Sequence, residues 1–407
     1  MTSLGPILAI LEQHSDEAAF LWNHRSRAVN NIRCRLKDLC GLDSRLEAHI
    51  DGLRIASQAA WDILRNALQL AGPGELFVAS VLAFETEDPS WIEIVLDLAG
   101  SSTLLARGTV SGLGWLPANR AALQIARLLE SSEPILHCIG LAAATVHGLH
   151  PSTLAIDVVH GDARVRAQAY RNVGEIGADF ELDLNDEDEQ CRFWAAWSAS
   201  RRRDRVAIRN LIQFAIEGNA HAEEAANTAM RVLDLSSAIS FHRDLAATRV
   251  SITAAASLGD VQLIPFVLGQ MKVPALARKA GEAFTMITGV DIGDHLAGNR
   301  PVAFEGDPTE DPNDENVKVD PDDNLQWPDP AAAEHWWVQH AGEFAPGIRY
   351  LLGKAISIDW IHDVLRMARQ GQRRAAAIEL AIQRRGQPLF NVRAPGFRQQ
   401  QLLERAE

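Results

Sequence analysis

Apolar residues recur at helical spacing in the first hundred positions. ILAILEQHSDEAAFLWNHR and LEAHIDGLRIASQAAWDILRNALQLAG each place a stripe every three to four residues, and Gly72, Pro73 and Gly74 close the second. GELFVASVLAFETEDPSWIEIVLDLAG continues the pattern, broken at Asp88 and Pro89. This predicts helical hairpins over residues 1–95. From 96 to 292 the runs shorten and fill with small residues, as in RGTVSGLGWL, HCIGLAAATV, RAQAYRNVGEIG, RVSITAAASLG and RKAGEAFTMITG. Small side chains suit close helix-on-helix packing. No alternating strand pattern with hairpin turn residues interrupts the region.

A period underlies those runs. A basic residue stands near the start of each, at Arg107, His137, Arg166, Arg192, His221, Arg249 and Arg278, with intervals of 26 to 30 residues. An acid precedes several of them by four residues: Glu133, Asp162, Asp188 and Glu217; Asp244 precedes Arg249 by five. Such an acid is placed to cap a helix and to reach the basic side chain one turn on. Gly148, Gly177, Gly218, Gly259 and Gly289 mark breaks. Units of this length fit two short antiparallel helices each, and the seven basic residues form a predicted structural ladder.

The pattern, clearest in DVVHGDARVRAQAYRNVGEIG, resembles HEAT repeats, in particular the short class of phycobilisome-lyase-like proteins. The expected fold is therefore all-α: a HEAT-like superhelix over 96–292 with an N-terminal helical cap over 1–95. Residues 293–330 are rich in Pro and Asp and read as an acidic loop insertion. Helix resumes over 331–407, where RRAAAIELAI predicts a last repeat.

Composition and charge narrow the function. The 407 residues carry a net charge of −14, which disfavours broad contact with nucleic acid. The charge is segregated, with ten acids and one lysine in 305–329, and nine arginines and two acids from Arg366 to Arg405. This contrast predicts that the loop folds back on the tail. No apolar run is long enough for a membrane span and the first residues lack signal-peptide character, so a cytoplasmic location is expected. The four cysteines form no CxxC pair, and Cys138 and Cys191 read as core thiols.

Chemistry is sparse. GxGxxG, Walker A, HExxH and GxSxG motifs are missing, so no catalytic residue, cofactor or metal is expected. DPNDENVKVDPDD lacks the turn glycine and closing glutamate of a calcium loop. His147 and His150 make no metal site by themselves, and Glu85, Glu87 and Asp88 read as a solvated turn. Trp194 and Trp197 share a helix face and are expected to wedge between repeats. Trp336, Trp337, Arg373 and Arg374 are the candidate partner-binding residues, because Trp and Arg dominate interface hot spots.

LDSRLEAHIDGLRIAS, FAPGIRYLLGKAIS and RRAAAIELAIQRRGQPLFNVRAPGFRQQQ resemble an uncharacterised proteobacterial HEAT-repeat family often encoded beside type VI secretion genes. The resemblance implies a protein-binding scaffold, an adaptor or chaperone for secreted effectors. The other readings are an immunity-type protein that occludes a toxin and a nucleic-acid binder using the Arg-rich tail. The iron-dependent hydroxylase built on HEAT-like repeats uses paired His-Glu motifs, and this sequence contains no His-Glu dipeptide.

Overall fold

The structure is a computed structural model that describes residues 7–302, 304 and 320–405. Among them are 22 α-helices and one two-stranded hairpin, Tyr350–Leu351 with Lys354–Ala355. None of these helices is long and apolar enough to cross a membrane. The calcium-loop segment up to residue 319 lies outside the described residues.

The acidic bias of the chain serves its helix starts. Asp88, Asp162, Asp204, Asp234 and Asp329 each occupy the residue before a helix and accept backbone N–H groups of its first turn. A carboxylate there satisfies donors with no partner inside the helix and meets the positive end of the macrodipole. At the other end, all five glycines read from the sequence as breaks have positive φ. Four of them, Gly177, Gly218, Gly259 and Gly289, stand directly after a helix.

The chain divides into two compact units. The first comprises Met1–Ser198, Arg366–Arg373 and Arg384–Glu407; the second comprises Ala199–Leu365 and Arg374–Gln383. The division falls inside the stretch read as one repeat array, and each unit takes part of the C-terminal region.

In the first unit, the helices Leu8–Ala28, Pro73–Thr86, Thr103–Trp115, Pro134–Val146 and Ala163–Ile176 pack each on the next. The intervening helices Pro89–Ser101 and Ala118–Leu129 cover their flanks. Close approach depends on small residues: a Cβ at Gly108 would sit 2.3 Å from the Pro73 carbonyl oxygen, so only glycine fits there. Trp61 and Trp91 stack at 4.3 Å in the core. Trp197 is buried, meets Trp194 edge-on at 5.5 Å, and lies where a Cβ on Gly174 would stand. Trp197 therefore packs closely against the Ala163–Ile176 helix.

The C-terminal segment of this unit returns to the N-terminal helices. Gln370 N–H donates to the Cys34 carbonyl at 2.7 Å. Arg25, ion-paired with Asp43, donates to the carbonyl of Ala394 at 2.8 Å, and Asp43 accepts the Gly396 N–H. The end of the C-terminal helical region expected over 331–407 is thus bound to the region expected to be the N-terminal cap.

The second unit repeats the stacking with Ala222–Val232, Arg249–Leu258 and Ala277–Thr288, flanked by Arg205–Glu217, Leu235–Asp244 and Ile264–Gln270. The short hairpin closes helix ends. Tyr350 N–H donates to Gly259 O at 2.8 Å, and Leu352 and Gly353 N–H donate to Met286 O and Ile287 O at 2.7 and 3.1 Å. The carbonyls at a helix C-terminus lack intrahelical partners, and these chain segments supply the donors.

Candidate functional site

Of the ladder residues predicted from the period, His137, Arg166 and Arg192 each stand fourth in their helix, but their partners differ from the expectation. His137 bonds Asp157 at 3.0 Å and the Ser131 carbonyl at 3.3 Å. Arg166 forks onto Asp186 at 2.8 and 2.9 Å and donates to the His160 carbonyl at 2.8 Å. In both, the carbonyl lies six residues back and the carboxylate twenty residues on. Arg192 donates to Asp186 O, again six back, at 2.8 Å. The acid four residues earlier is not the partner: Asp162 caps its helix and pairs with Arg164. A capping carboxylate turns toward the first-turn N–H groups, so the ladder joins one helical pair to the loop before the next.

Two predicted members depart from this. Arg107 is exposed and reaches Ser26 Oγ at only 3.4 Å. His221 stands at the start of Ala222–Val232, with its ring edge-on to Phe214. The last two members use the acidic insertion. Arg249 takes Asp322 and Glu223, and Arg278 pairs with Asp320 while its guanidinium lies over the rings of Trp327 and Phe304 at 4.4 and 4.9 Å. The described end of the insertion is thus bound to ladder arginines, while most of the acidic segment expected to fold onto the basic tail lies outside the described residues. Within the tail, Arg366 donates to the Leu403 carbonyl and Arg373 to the side-chain oxygens of Gln370 and Gln399.

Two predictions arise from the ladder. Asp186→Ala is expected to cost about 2–3 kcal/mol, since both partners are largely buried and Arg166 loses a charged acceptor. Arg164→Ala, which breaks the exposed pair with Asp162, should cost at most about 1 kcal/mol. Denaturant midpoints of the two variants check the ranking. At Glu223 burial pushes the carboxyl up, but Lys279, Arg249 and Thr253 outweigh it and hold the pKa at about 2. A depressed folded pKa gives stability above the unfolded value that is lost as pH falls. The stability gap between the parent and Glu223→Gln should therefore narrow from about pH 4.5 to about pH 2 in acid titrations.

The candidate partner-binding residues fare unevenly. Arg373 is fully buried, with its guanidinium on the side-chain oxygens of Gln370 and Gln399, and burial pushes its pKa down to about 10. It is not available to a partner. Successive residues on a helix turn by about 100°, so Arg373 faces in while Arg374 faces out and is exposed. Trp336 and Trp337 are both half-buried: Trp336 stacks on His340 at 4.2 Å and meets Phe284 edge-on, while Trp337 lies against Phe344. They pin their helix.

The first unit contains a cleft of about 610 Å³ that the sequence did not reveal. One wall is acidic. Arg54 forks onto Glu85 at 2.7 and 2.8 Å and also bonds Glu47 and Asp51, so three carboxylates surround one guanidinium. These bonds hold Arg54 protonated above its ordinary range against the cost of burial. Glu85 therefore ties the Leu36–Ala56 helix to the Pro73–Thr86 helix and is no solvated turn residue, whereas its neighbour Asp88 does cap a helix. Trp115 donates its indole N–H to Glu47 and meets Phe397 edge-on at 6.1 Å.

Basic residues line the same cleft. Arg398, on the Gly396–Glu404 helix, donates from Nη2 to the Leu116 carbonyl at 3.0 Å. Its Nη1 is buried and meets no hydrogen-bond acceptor of the protein. Burial lowers its pKa. His147 lies alongside, with Nε2 2.9 Å from Leu113 O. A carbonyl only accepts, so in the neutral ring Nε2 carries the proton and Nδ1 is an acceptor. Burial, aided by the charge of Arg398, lowers the His147 pKa and favours that neutral ring. Arg120 is exposed at the edge of the cleft.

Comparison with family models, with curated proteins and with solved structures returns no match. The cleft must be interpreted from its own chemistry. Glu47, Glu85, Trp115, His147 and Arg398 come from five separate helices or their ends, so no local motif could mark them. Glu85 and His147 were visible in the sequence as polar residues near helix ends; Arg398 carried no signal beyond the count of tail arginines. Among the described residues, no group of three or more His, Cys, Asp or Glu is placed to hold a metal ion.

Proposed function

We propose that the chain is a HEAT-like α-α superhelix and acts as a non-enzymatic scaffold that binds another protein or peptide in the cytoplasm. The observation that supports this reading best is the stepwise packing of alternate helices within each unit, joined by the recurring ladder of His137–Asp157 and Arg166–Asp186. Stacked helical pairs present extended surfaces suited to a protein or peptide. The sequence resemblance extends the proposal to an adaptor for type VI secretion effectors.

Tagged protein recovered under gentle salt should retain one partner in constant ratio, encoded near its own gene. Co-expression then separates the roles: an adaptor raises export of that partner, whereas an immunity-type protein rescues growth from it. Failure to retain any protein sinks the scaffold reading. The nucleic-acid reading loses support because Arg373 is enclosed in the fold and Arg398 largely so.

A further inference from the structure

We propose that His14 and His49 form a two-histidine site for a divalent transition-metal ion of the zinc and copper class, with water completing its coordination. The inference is independent of the scaffold reading, because it rests on one helical hairpin of the first unit. His14 stands on the Leu8–Ala28 helix and His49 on the Leu36–Ala56 helix, and the two helices pack on each other. The two Nδ1 atoms lie 3.1 Å apart. The ring centroids are 5.2 Å apart and the planes cross at 68°, so the rings meet at these nitrogens and do not stack.

That spacing is the one a shared ion requires. Metal–imidazole bonds of about 2.0–2.1 Å, at square-planar or tetrahedral angles, hold two nitrogens about 2.9–3.4 Å apart. For the two nitrogens to bond each other, one ring donates its Nδ1 proton to the other, so the gap accommodates a shared proton. A metal ion takes the place of that proton when the donor ring carries its own proton at Nε2 instead. A small swing of the rings then aims both lone pairs at one point. Burial, and after it His14, lowers the His49 pKa and favours the neutral ring that a metal needs; Glu17 acts against that fall and Arg45 with it. Gly52 seats the pair. A Cβ there would stand 2.7 Å from His14 Nε2, so the ring rests directly on the backbone of the Leu36–Ala56 helix, one turn beyond His49. Both histidines are half-buried, which fixes the rings and leaves a side for the water ligands. The ligands are 35 residues apart on separate helices, so no local spacing marks them. Hard ions such as Mg²⁺ prefer oxygen and are disfavoured here.

The test titrates full-length protein with Zn²⁺, Cu²⁺ or Mg²⁺ chloride in a calorimeter, and electron paramagnetic resonance of the Cu²⁺ form counts its nitrogen ligands. One Zn²⁺ is expected to bind with a Kd of about 10 µM or tighter, Cu²⁺ at least tenfold more tightly, and Mg²⁺ not at all. His14→Gln and His49→Gln should each weaken Zn²⁺ binding at least tenfold, and Gly52→Ala, which crowds the His14 ring, should weaken it too. His24→Gln alters an exposed histidine of the same helix as His14 and should leave the affinity unchanged. The Cu²⁺ spectrum of the parent protein should show two imidazole nitrogens, a readout that needs no variant to fold. A single imidazole nitrogen at one equivalent of Cu²⁺, unchanged Zn²⁺ affinity in both His14→Gln and His49→Gln, an equal loss in His24→Gln, or no Zn²⁺ binding at about 1 mM would each overturn the proposal.

Discussion

Glu379→Ala is expected to cost about 3–5 kcal/mol, the largest effect of any single substitution considered. Glu379 has a side-chain exposure of 1% and faces Arg231, exposed by 3%, at 2.6 Å. Arg349 reaches the same carboxylate and also donates to the carbonyls of Leu258 and Ser257 at 3.0 and 3.2 Å. One carboxylate thus balances two guanidiniums. Burial lowers the Arg231 pKa, and the Glu379 charge works against that fall. Without it, Arg231 stays enclosed with its charge uncompensated. Removing both buried charges should be far milder, so Arg231→Met with Glu379→Leu is expected to recover most of the loss, Arg349 keeping its carbonyl acceptors. Urea unfolding followed by circular dichroism measures all three proteins. A cost below about 1 kcal/mol for Glu379→Ala would show that the pair is solvated in solution and refute the buried arrangement.

The second large effect is expected at Gly259. Its φ is +72°, and a Cβ there would lie 2.1 Å from the Tyr350 carbonyl oxygen. Gly259→Ala must bear the left-handed backbone strain, about 1–2 kcal/mol, and must also push the hairpin strand away. That displacement threatens the Tyr350 N–H bond to Gly259 O, whose loss adds roughly 1–3 kcal/mol. The total expected is about 2–5 kcal/mol. Gly218 provides the control: its φ is +70°, but no atom lies within 4 Å of the added carbon. Gly218→Ala should cost about 1–2 kcal/mol, the backbone part alone. Hydrogen exchange adds a local readout, because only Gly259→Ala should deprotect the Tyr350 and Leu352 amides. Equal costs and equal exchange in the two variants would mean that the hairpin yields freely.

The two sites share a cause. Chain from the C-terminal region donates to carbonyls left unpaired at helix ends: Leu389 to Glu175 in the first unit, and Tyr350, Leu352 and Arg349 to Gly259, Met286 and Leu258 in the second. The segment that follows the repeat stretch is therefore part of the fold of both units. Its arginines are distributed between carbonyl acceptors, glutamine oxygens and Glu379, which is why a count of tail charges does not describe them.

The sequence determined the helices and their limits. Apolar spacing set the helical stripes, Asp88, Asp162, Asp204 and Asp234 opened helices, and Gly177, Gly218, Gly259 and Gly289 closed them, because capping and positive φ depend on residues adjacent in the chain. The period also located His137 and Arg166, whose side chains reach back six residues to a loop carbonyl. Their carboxylate partners, twenty residues on, lay beyond that local logic. Tertiary structure alone decided that Asp320 and Asp322 serve Arg278 and Arg249, that Arg373 turns inward and Arg374 outward, and that Arg398 ends beside His147 and Trp115 with one donor unmet. Those outcomes depend on which segments meet after 40 to 350 residues of intervening chain, as between Arg278 and Asp320 or between Asp43 and Gly396. Local periodicity carries no information about such meetings; helix packing and the demand of helix-end carbonyls for donors decide them.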